Sequence, residues 1–366
     1  MTVAPVVAAR GAAAGLTAAV MFGASAPLST LLLHDLPAQS MAGLLYLGAA
    51  VVLGFGRVAR RGRGTRLRRQ DLGRLSVVVL AGGIVAPVLL LLGLQRTGGL
   101  TGSLLLNLEA PVTLLFAVTV FGEHLPRRAL AAAVTVLVGA AVVGGSSSST
   151  NATVVGSLLV AGAALCWALD NNLSVNLAGR SPLDLVLVKC AVAGSVNLVV
   201  GLLRGERPGP ASSVVLAMIL GSVAYGLSVL LDAVALRELG AAREAGLFAT
   251  APFVGAVLSV PLLSESLSVT QIVASLVMAA GIVLLILDDH EHRHLHPNLA
   301  HEHMHRHSDS HHEGREHLAA HAQSTVNPDS AHSHEHDHQP LNHQHAHVSD
   351  QAHRHEHSDS LPVVDE

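Results

Sequence analysis

Three strongly polar residues stand in a row inside an apolar stretch of the chain. Asp170, Asn171 and Asn172 follow the uncharged run 156–166 and precede a second one, 173–177. A carboxylate at membrane depth costs at least ~2.5 kcal/mol, so it normally faces a bundle interior or a water-filled path. A carboxylate beside two amides can ligate a cation or exchange hydrogen bonds with a polar solute. The carboxylate can also carry a proton, so we assign these three residues to a substrate or proton pathway.

A structural ion pair is the alternative role for Asp170. Lys189 lies near the start of the next apolar run and could reach a similar depth in a membrane. Charged residues within membrane helices commonly pair with one another. Because a pair can also open during transport, the two roles are compatible, and we include Lys189 in the predicted pathway.

A second carboxylate, Glu109, interrupts another apolar run. Pro111 follows it and lacks a backbone donor, which frees a carbonyl one turn earlier, near Asn107. Broken helical backbone beside a carboxylate can line a substrate path, so we place Glu109 and Asn107 in the pathway. A helix–helix hydrogen bond is the alternative role for Glu109. Pro252 is the matching helix breaker later in the chain, where no carboxylate accompanies it.

Apolar runs long enough to cross a bilayer must position these residues. Windows of ~20 apolar residues recur ten times, which predicts an all-α membrane protein of about ten transmembrane helices. The predicted spans are 14–33, 39–56, 75–94, 100–121, 128–145, 155–177, 184–203, 213–235, 244–263 and 268–287.

The charge distribution predicts the orientation of the bundle. Basic residues are concentrated between the second and third spans, and cytoplasmic loops carry such an excess of Lys and Arg. With ten spans, a cytoplasmic position of this loop puts both termini in the cytoplasm. We therefore predict a multi-pass protein of the cell inner (plasma) membrane, surrounded by lipid. The arginines of this loop are Arg57, Arg60, Arg61, Arg63, Arg66, Arg68, Arg69 and Arg74.

The two halves of the chain repeat each other. The segment 94–98 matches 236–240, Ala110-Pro111 matches Ala251-Pro252, and 122–125 matches 264–267. An odd number of spans per repeat turns the second half upside down, and such inverted repeats are typical of alternating-access carriers. We predict a first five-helix repeat at 14–145 and a second at 155–287.

The chain resembles the drug/metabolite transporter superfamily of the EamA type. The resemblance covers roughly 14–287 and rests on Cys166-Trp167-Ala168-Leu169-Asp170-Asn171-Asn172-Leu173, Asn107-Leu108-Glu109-Ala110-Pro111, Phe121-Gly122-Glu123 and Phe248-Ala249-Thr250-Ala251-Pro252-Phe253. These stretches are similar to a bacterial branch that ends in a histidine-rich tail. The resemblance implies two inverted five-helix repeats and transport of a small solute.

The tail, 288–366, differs chemically from the rest. It holds 22 of the 24 histidines, 15 of the 26 acidic residues and 4 of the 22 basic residues. With few apolar residues it cannot form a core, so we expect disorder. Its alternating histidines could bind zinc, nickel or cobalt. The predicted metal ligands are His290, His292, His294, His296, His301, His303, His305, His307, His332, His334, His336 and His338.

The tail leaves three interpretations open. It could collect or sense an exported ion, or it could buffer metal independently of transport. It could also respond to pH, because histidine changes charge near neutrality.

The sequence predicts a carrier and not an enzyme. It contains no HExxH motif, phosphate-binding glycine loop or nucleophile triad, and we expect no required cofactor and no nucleic-acid partner. The predicted function is secondary active export of a small polar solute, with proton coupling as the mechanistic hypothesis and divalent transition-metal ions as the more specific hypothesis for the substrate. A membrane-anchored metal sensor or buffer without transport activity is the alternative. Gly11 and Gly15 form a GxxxG pattern compatible with a homodimer.

Overall fold

The protein is described by a computed structural model of the 366-residue chain. The residues that the structure describes are 5–59, 71–121, 127–146, 151–175, 177, 182–207, 209–286, 290–296, 299–305, 332–338 and 341–347.

All the regular secondary structure described up to residue 286 is helical. The α-helices are α1 (Pro5–Gly23), α2 (Ser25–Leu32), α3 (Ala38–Ala59), α4 (Leu72–Val78), α5 (Ala86–Leu105), α6 (Glu109–Phe121), α7 (Arg127–Ser146), α8 (Asn151–Val175), α9 (Pro182–Leu203), α10 (Ala211–Gly221), α11 (Ser228–Leu239), α12 (Ala241–Phe248), α13 (Ala251–Leu263) and α14 (Val269–Ile286). Two π-helical segments, Val79–Val85 and Ser222–Leu227, and one 3-10 segment, Leu106–Leu108, connect some of them. This confirms the predicted all-α membrane architecture.

Eight of the described helical stretches are long and apolar enough to cross a membrane. One of them, Leu72–Val120, runs over 49 residues and covers the predicted third and fourth spans. The tenth predicted span corresponds to a shorter apolar helix, Val269–Leu284. The difference between ten and eight therefore comes from one merged pair and one short helix.

Gly98 explains how the 49-residue stretch contains two spans. Its φ of 79° and ψ of 174° are not helical, and they mark a sharp turn inside α5. Gly240, between α11 and α12, has a φ of 84° and a ψ of 165°. Glycine adopts such positive φ values without the steric cost that a side chain brings. Matching segments of the two halves thus turn with nearly the same backbone geometry.

Contacts between helices follow the same inverted repeat. Helix α1 packs against α11, and α5 packs against α8, so the first span of each half contacts the third span of the other. Two further pairs, α3 with α9 and α7 with α14, join matching spans directly. The predicted residue boundaries of the two repeats stay a prediction.

Small residues permit the close approach of these helices. A Cβ atom added at Gly194 would lie 2.8 Å from Leu47 N, and one at Gly43 would lie 2.6 Å from Leu198 N. Gly11 is equally close to α11, where an added Cβ would lie 2.8 Å from Leu239 Cγ. Because this part of the GxxxG pattern already serves packing within the chain, it gives no support to a dimer interface, and the homodimer stays a prediction.

The tail contains four described strands, where the sequence predicts disorder. They are β1 (His290–His296), β2 (Leu299–His305), β3 (His332–His338) and β4 (Leu341–His347). β1 pairs antiparallel with β4, and β2 with β3. Two-stranded sheets alone are marginally stable in water, so the disorder of the tail as a whole stays a prediction.

Candidate functional site

Asp170 and Lys189 form an ion pair in the interior of the bundle. Lys189 Nζ on α9 lies 2.7 Å from Asp170 Oδ2 on α8, and the aspartate side chain is only 3% exposed. Ser174, one turn further along α8, donates a hydrogen bond of 3.1 Å to Asp170 Oδ1. The ion pair that the sequence offered as an alternative is therefore present. A hydrogen-bonded pair offsets part of the cost of burying two charges.

The first π-helical segment packs directly against this pair. A Cβ atom at Gly82 would overlap the Asp170 carboxylate, so only glycine lets the two backbones approach this closely. The Ala86 amide donates to Ala81, in the π-helical register. The partner that this register gives the Gly82 carbonyl is residue 87, a proline without an N–H. The Gly82 carbonyl is therefore free to accept other donors.

Two aromatic side chains supply those donors. The Tyr46 hydroxyl donates to the Gly82 carbonyl at 2.9 Å, and Trp167 Nε1 donates to the same oxygen at 3.0 Å. Tyr46 lies on α3 of the first half, and Trp167 lies on α8 of the second. The carbonyl of Gly82 thus joins the two halves beside the ion pair.

Glu109 is held by the residue that follows Asp170. Asn171 Nδ2 donates to Glu109 Oε1 at 2.8 Å, linking α8 to α6. This is the helix–helix hydrogen bond that the sequence allowed for Glu109. The bond is exposed, whereas Asp170 is buried, but Glu109 lies near enough to interact electrostatically with Asp170 and Lys189. Both predicted carboxylates therefore belong to one polar region.

The other predicted amides serve the backbone. Asn172 Nδ2 donates to the Thr113 carbonyl at 3.0 Å and to the Ala168 carbonyl at 2.9 Å. Asn107 Nδ2 donates to the Leu104 carbonyl at 3.0 Å, within its own turn of chain. The structure therefore gives these two amides contacts typical of helix packing, and their place in a pathway stays a prediction.

Both predicted helix-breaking prolines lie next to interruptions of the helix. Pro111 sits in the first turn of α6, directly after the 3-10 segment. Pro252 sits in the first turn of α13, after two turn residues that separate it from α12. Proline fits the first turn because its missing N–H would have no helical partner there.

A cluster of aromatic rings from both halves of the chain lies next to Gly82. Phe22 lies edge-on to Tyr225 with 5.6 Å between ring centroids, and its ring is 5.1 Å from that of Phe248. Tyr46 is 5.9 Å from Tyr225. We call these four residues the aromatic cluster. Through Tyr46 and Gly82 it is continuous with the Asp170–Lys189 pair.

A polar network extends from the same region toward one end of the bundle. Gln39 Nε2 donates to Asn197 Oδ1 at 2.8 Å, and Asn197 Nδ2 donates to the Ile84 carbonyl at 3.3 Å. Asn197 is fully buried, and Gln39 is nearly so. The amide of Asn197 therefore satisfies a second carbonyl of the π-helical segment.

Sequence reasoning did not single out Tyr46, Gly82 or Ser174 as site residues. A retrospective signal exists for Gly82, because two glycines precede Pro87 by a turn inside an apolar run. The rarity of tyrosine is a possible signal for Tyr46, because the chain has only two tyrosines. Ser174 carries no signal beyond lying one helical turn after Asp170.

The predicted metal ligands of the tail are not tested by the structure. His307 lies outside the described residues, and the side chains of the other predicted histidines are not described either. Among the described residues there is no group of three or more His, Cys, Asp or Glu side chains that could hold a metal ion.

Comparison with known proteins agrees with this architecture. The model of the EamA-like transporter family matches residues 9–145 and 154–287. An uncharacterized transporter from Methanothermobacter thermautotrophicus is 30% identical over 288 residues, which cover 74% of this chain and 84% of that protein. A protein crystal structure matches with a TM-score of 0.58 and 20% identity, over 76% of this chain and 98% of that one. The structural likeness supports the fold alone.

Proposed function

The chain belongs to the EamA-like transporter family, and from this we propose that it exports a small polar solute by secondary active transport. The two inverted halves alternate in exposing the Asp170 region to either side of the membrane. We place the protein in the cell inner membrane with both termini in the cytoplasm. It acts as a carrier and not as an enzyme, and it requires no cofactor.

The observation that carries this proposal is the buried ion pair between Asp170 and Lys189. It lies on two helices of the second half and packs against Gly82 of the first half, whose carbonyl accepts a hydrogen bond from Tyr46. Movement of the first half against the second would uncover this charged pair to a solute or to protons. Interior charges of this kind usually mark substrate or proton pathways.

We further propose that transport is coupled to protons through Asp170 or Glu109. Each carboxylate has a partner that stabilises its charged form: the Lys189 ammonium neutralises Asp170, and the Asn171 amide donates a hydrogen bond to Glu109. The test is proton-driven flux in vesicles that contain Asp170→Asn or Glu109→Gln protein. Loss of coupling in at least one variant supports the hypothesis, and unchanged flux in both contradicts it.

Divalent metal export is a second candidate, favoured by the histidine-rich tail alone. The tail would collect or sense zinc, nickel or cobalt before transport. Metal content of cells that lack the protein is compared after restoring the full chain or residues 1–289 during metal challenge. Lower metal with the full chain and a weaker effect without the tail would support metal export. Metal binding by the tail without any change in cell metal would instead favour a sensor or buffer.

A further inference from the structure

Two carboxyl side chains outside the Asp170 region are in direct contact. Asp232 on α11 and Glu244 on α12 form a hydrogen bond with each other. Both residues are partly buried, and Asp232 Oδ1 is buried without a hydrogen bond from any N–H or O–H donor of the described residues. A carboxylate has only acceptors, so a hydrogen bond between two carboxyl groups needs a proton on one of them. A single bound proton would therefore satisfy this contact.

The surrounding helices supply no charge that compensates the pair. Among the described residues, neither carboxyl group takes part in an ion pair. The titratable residues on the helical segments packed against α11 and α12 are Arg10, Tyr225, Arg237, Glu238 and Arg243. Arg10 already pairs with Glu238 at 3.5 Å. The two other arginines are exposed, and the tyrosine hydroxyl is hydrogen-bonded to Ser25. Two ionised carboxylates would repel each other here, and a shared proton removes that repulsion.

The first half of the chain forms the same corner without carboxyl groups. Asp232 stands eight residues before the turn at Gly240, and Glu244 stands four residues after it. The corresponding positions around the matching turn of the first half are occupied by Leu90 and Gly102. Both of these residues are buried. Because the repeated fold builds this corner from apolar residues, the acidic pair has a role other than forming the turn.

We propose that Asp232 and Glu244 form a proton-binding site that holds one proton between their carboxyl groups and thereby ties α12 to α11. The site lies between the turn at Gly240 and the aromatic cluster, since Glu244 precedes Phe248 by one helical turn. Loss of the proton leaves two carboxylates in contact, and their repulsion weakens the attachment of the eight-residue helix α12. This site is separate from the Asp170 region, and it does not rest on the proposed transport function.

Infrared spectroscopy of the full-length protein in detergent detects such a proton directly. A protonated carboxyl group has a C=O stretching band that a carboxylate lacks. An isolated Asp or Glu has a pKa of about 4 and is ionised in neutral buffer. We therefore expect this band in the spectrum of the unmodified protein minus that of Asp232→Asn, and equally in the difference with Glu244→Gln. Glu238→Gln is the matched control on α11, and its difference spectrum should lack the band because Arg10 compensates the Glu238 carboxylate.

Thermal unfolding tests whether the proton ties the two helices. In neutral buffer the folded protein holds a proton that the unfolded chain releases, so this contribution to stability is lost as the pH rises. The unmodified protein should therefore lose more thermal stability between neutral and alkaline buffer than Asp232→Asn or Glu244→Gln. An equal loss in all three proteins would contradict the tie.

The infrared difference spectra decide whether the site exists. Should one of the two variants not fold, the other isolates the same band. Absence of the band from both difference spectra in neutral buffer would overturn the inference. Stabilisation of the protein by sodium ions without this band would assign the pair to a metal cation and would also overturn it. None of these measurements requires flux, so a negative result would leave the transport proposal intact.

Discussion

Lys189 Nζ and Asp170 Oδ2 are 2.7 Å apart on neighbouring helices that both belong to the second half of the chain. Removing one member of a buried pair leaves the other charge uncompensated, which costs about 3–5 kcal/mol. We therefore expect both Asp170→Asn and Lys189→Met to lower the thermal unfolding temperature in detergent and to reduce flux strongly.

The double variant Asp170→Asn, Lys189→Met distinguishes a structural pair from a transport element. Without either charge, most of the lost stability should return, because no unpaired charge remains in the interior. If the pair takes part in transport, proton-driven flux stays low in this stable variant. Recovery of both stability and flux would show that the pair serves the fold alone.

Gly82 should not tolerate even the smallest side chain. A Cβ atom there would overlap the Asp170 carboxylate, which Lys189 and Ser174 already hold in place. We expect Gly82→Ala to displace the carboxylate, to destabilise the protein by about 1–3 kcal/mol and to reduce flux. Gly54→Ala is the matched control, since nothing lies within 4 Å of a Cβ atom at that helical glycine. Similar unfolding temperatures for both variants would contradict the close contact.

Composition and pattern alone predicted much of this architecture. Long uncharged runs have few stable states other than membrane helices, so the all-α fold follows from composition. The constant offset between matching segments predicted the repeat. In the structure, the matching glycines Gly98 and Gly240 both have positive φ values. Asp170 and Glu109 stood out because each is a carboxylate in an apolar run, and the structure brings both into one region.

Other features of the site depend on the approach of distant helices. The contact of Gly82 with Asp170 joins residues 88 positions apart in sequence, and no local pattern encodes it. The choice of π-helical over α-helical geometry at Val79–Val85 reflects packing against α8 and α9 as well as Pro87. In the sequence, nothing distinguishes Tyr46 from a tyrosine at the membrane interface. Its position is explained by the hydrogen bond that it donates to the Gly82 carbonyl.

Glu265 should stabilise the turn at Gly98. Its carboxylate accepts hydrogen bonds of 2.8 Å from the amides of Gly99 and Leu100, at the start of the helix that follows this turn. A carboxylate satisfies unpaired amides at a helix N-terminus and interacts favourably with the helix dipole. We expect Glu265→Ala to lower stability by about 1–2 kcal/mol and Glu265→Gln to lower it less, as measured by thermal unfolding. An equal loss of stability in the two variants would show that the side-chain oxygen retained in Glu265→Gln does not stabilise the turn.

The antiparallel pair of α3 and α9 is tied at both of its ends. Arg57 near the end of α3 forms an ion pair with Asp184 at the start of α9. At the opposite end, Glu206 accepts hydrogen bonds from the Ser40 amide at 2.9 Å and the Ser40 hydroxyl at 2.6 Å. If the proposed alternating access separates these two ends in turn, the relative strength of the two contacts should set the side to which the protein opens.

We expect Asp184→Ala and Glu206→Ala to shift the equilibrium between the two open states of the protein in opposite directions. Cys190, on α9 beside Lys189, is 3% exposed and becomes the sole thiol once Cys166 is changed to Ser. Asp184→Ala should increase its labelling by a membrane-impermeant reagent added on the Arg57 side, because that end then opens more often. Glu206→Ala should increase labelling from the other side. Leu203→Ala, at a residue 83% exposed on α9, is the control. Faster labelling from the same side in both variants would show that these contacts are not opposing ties.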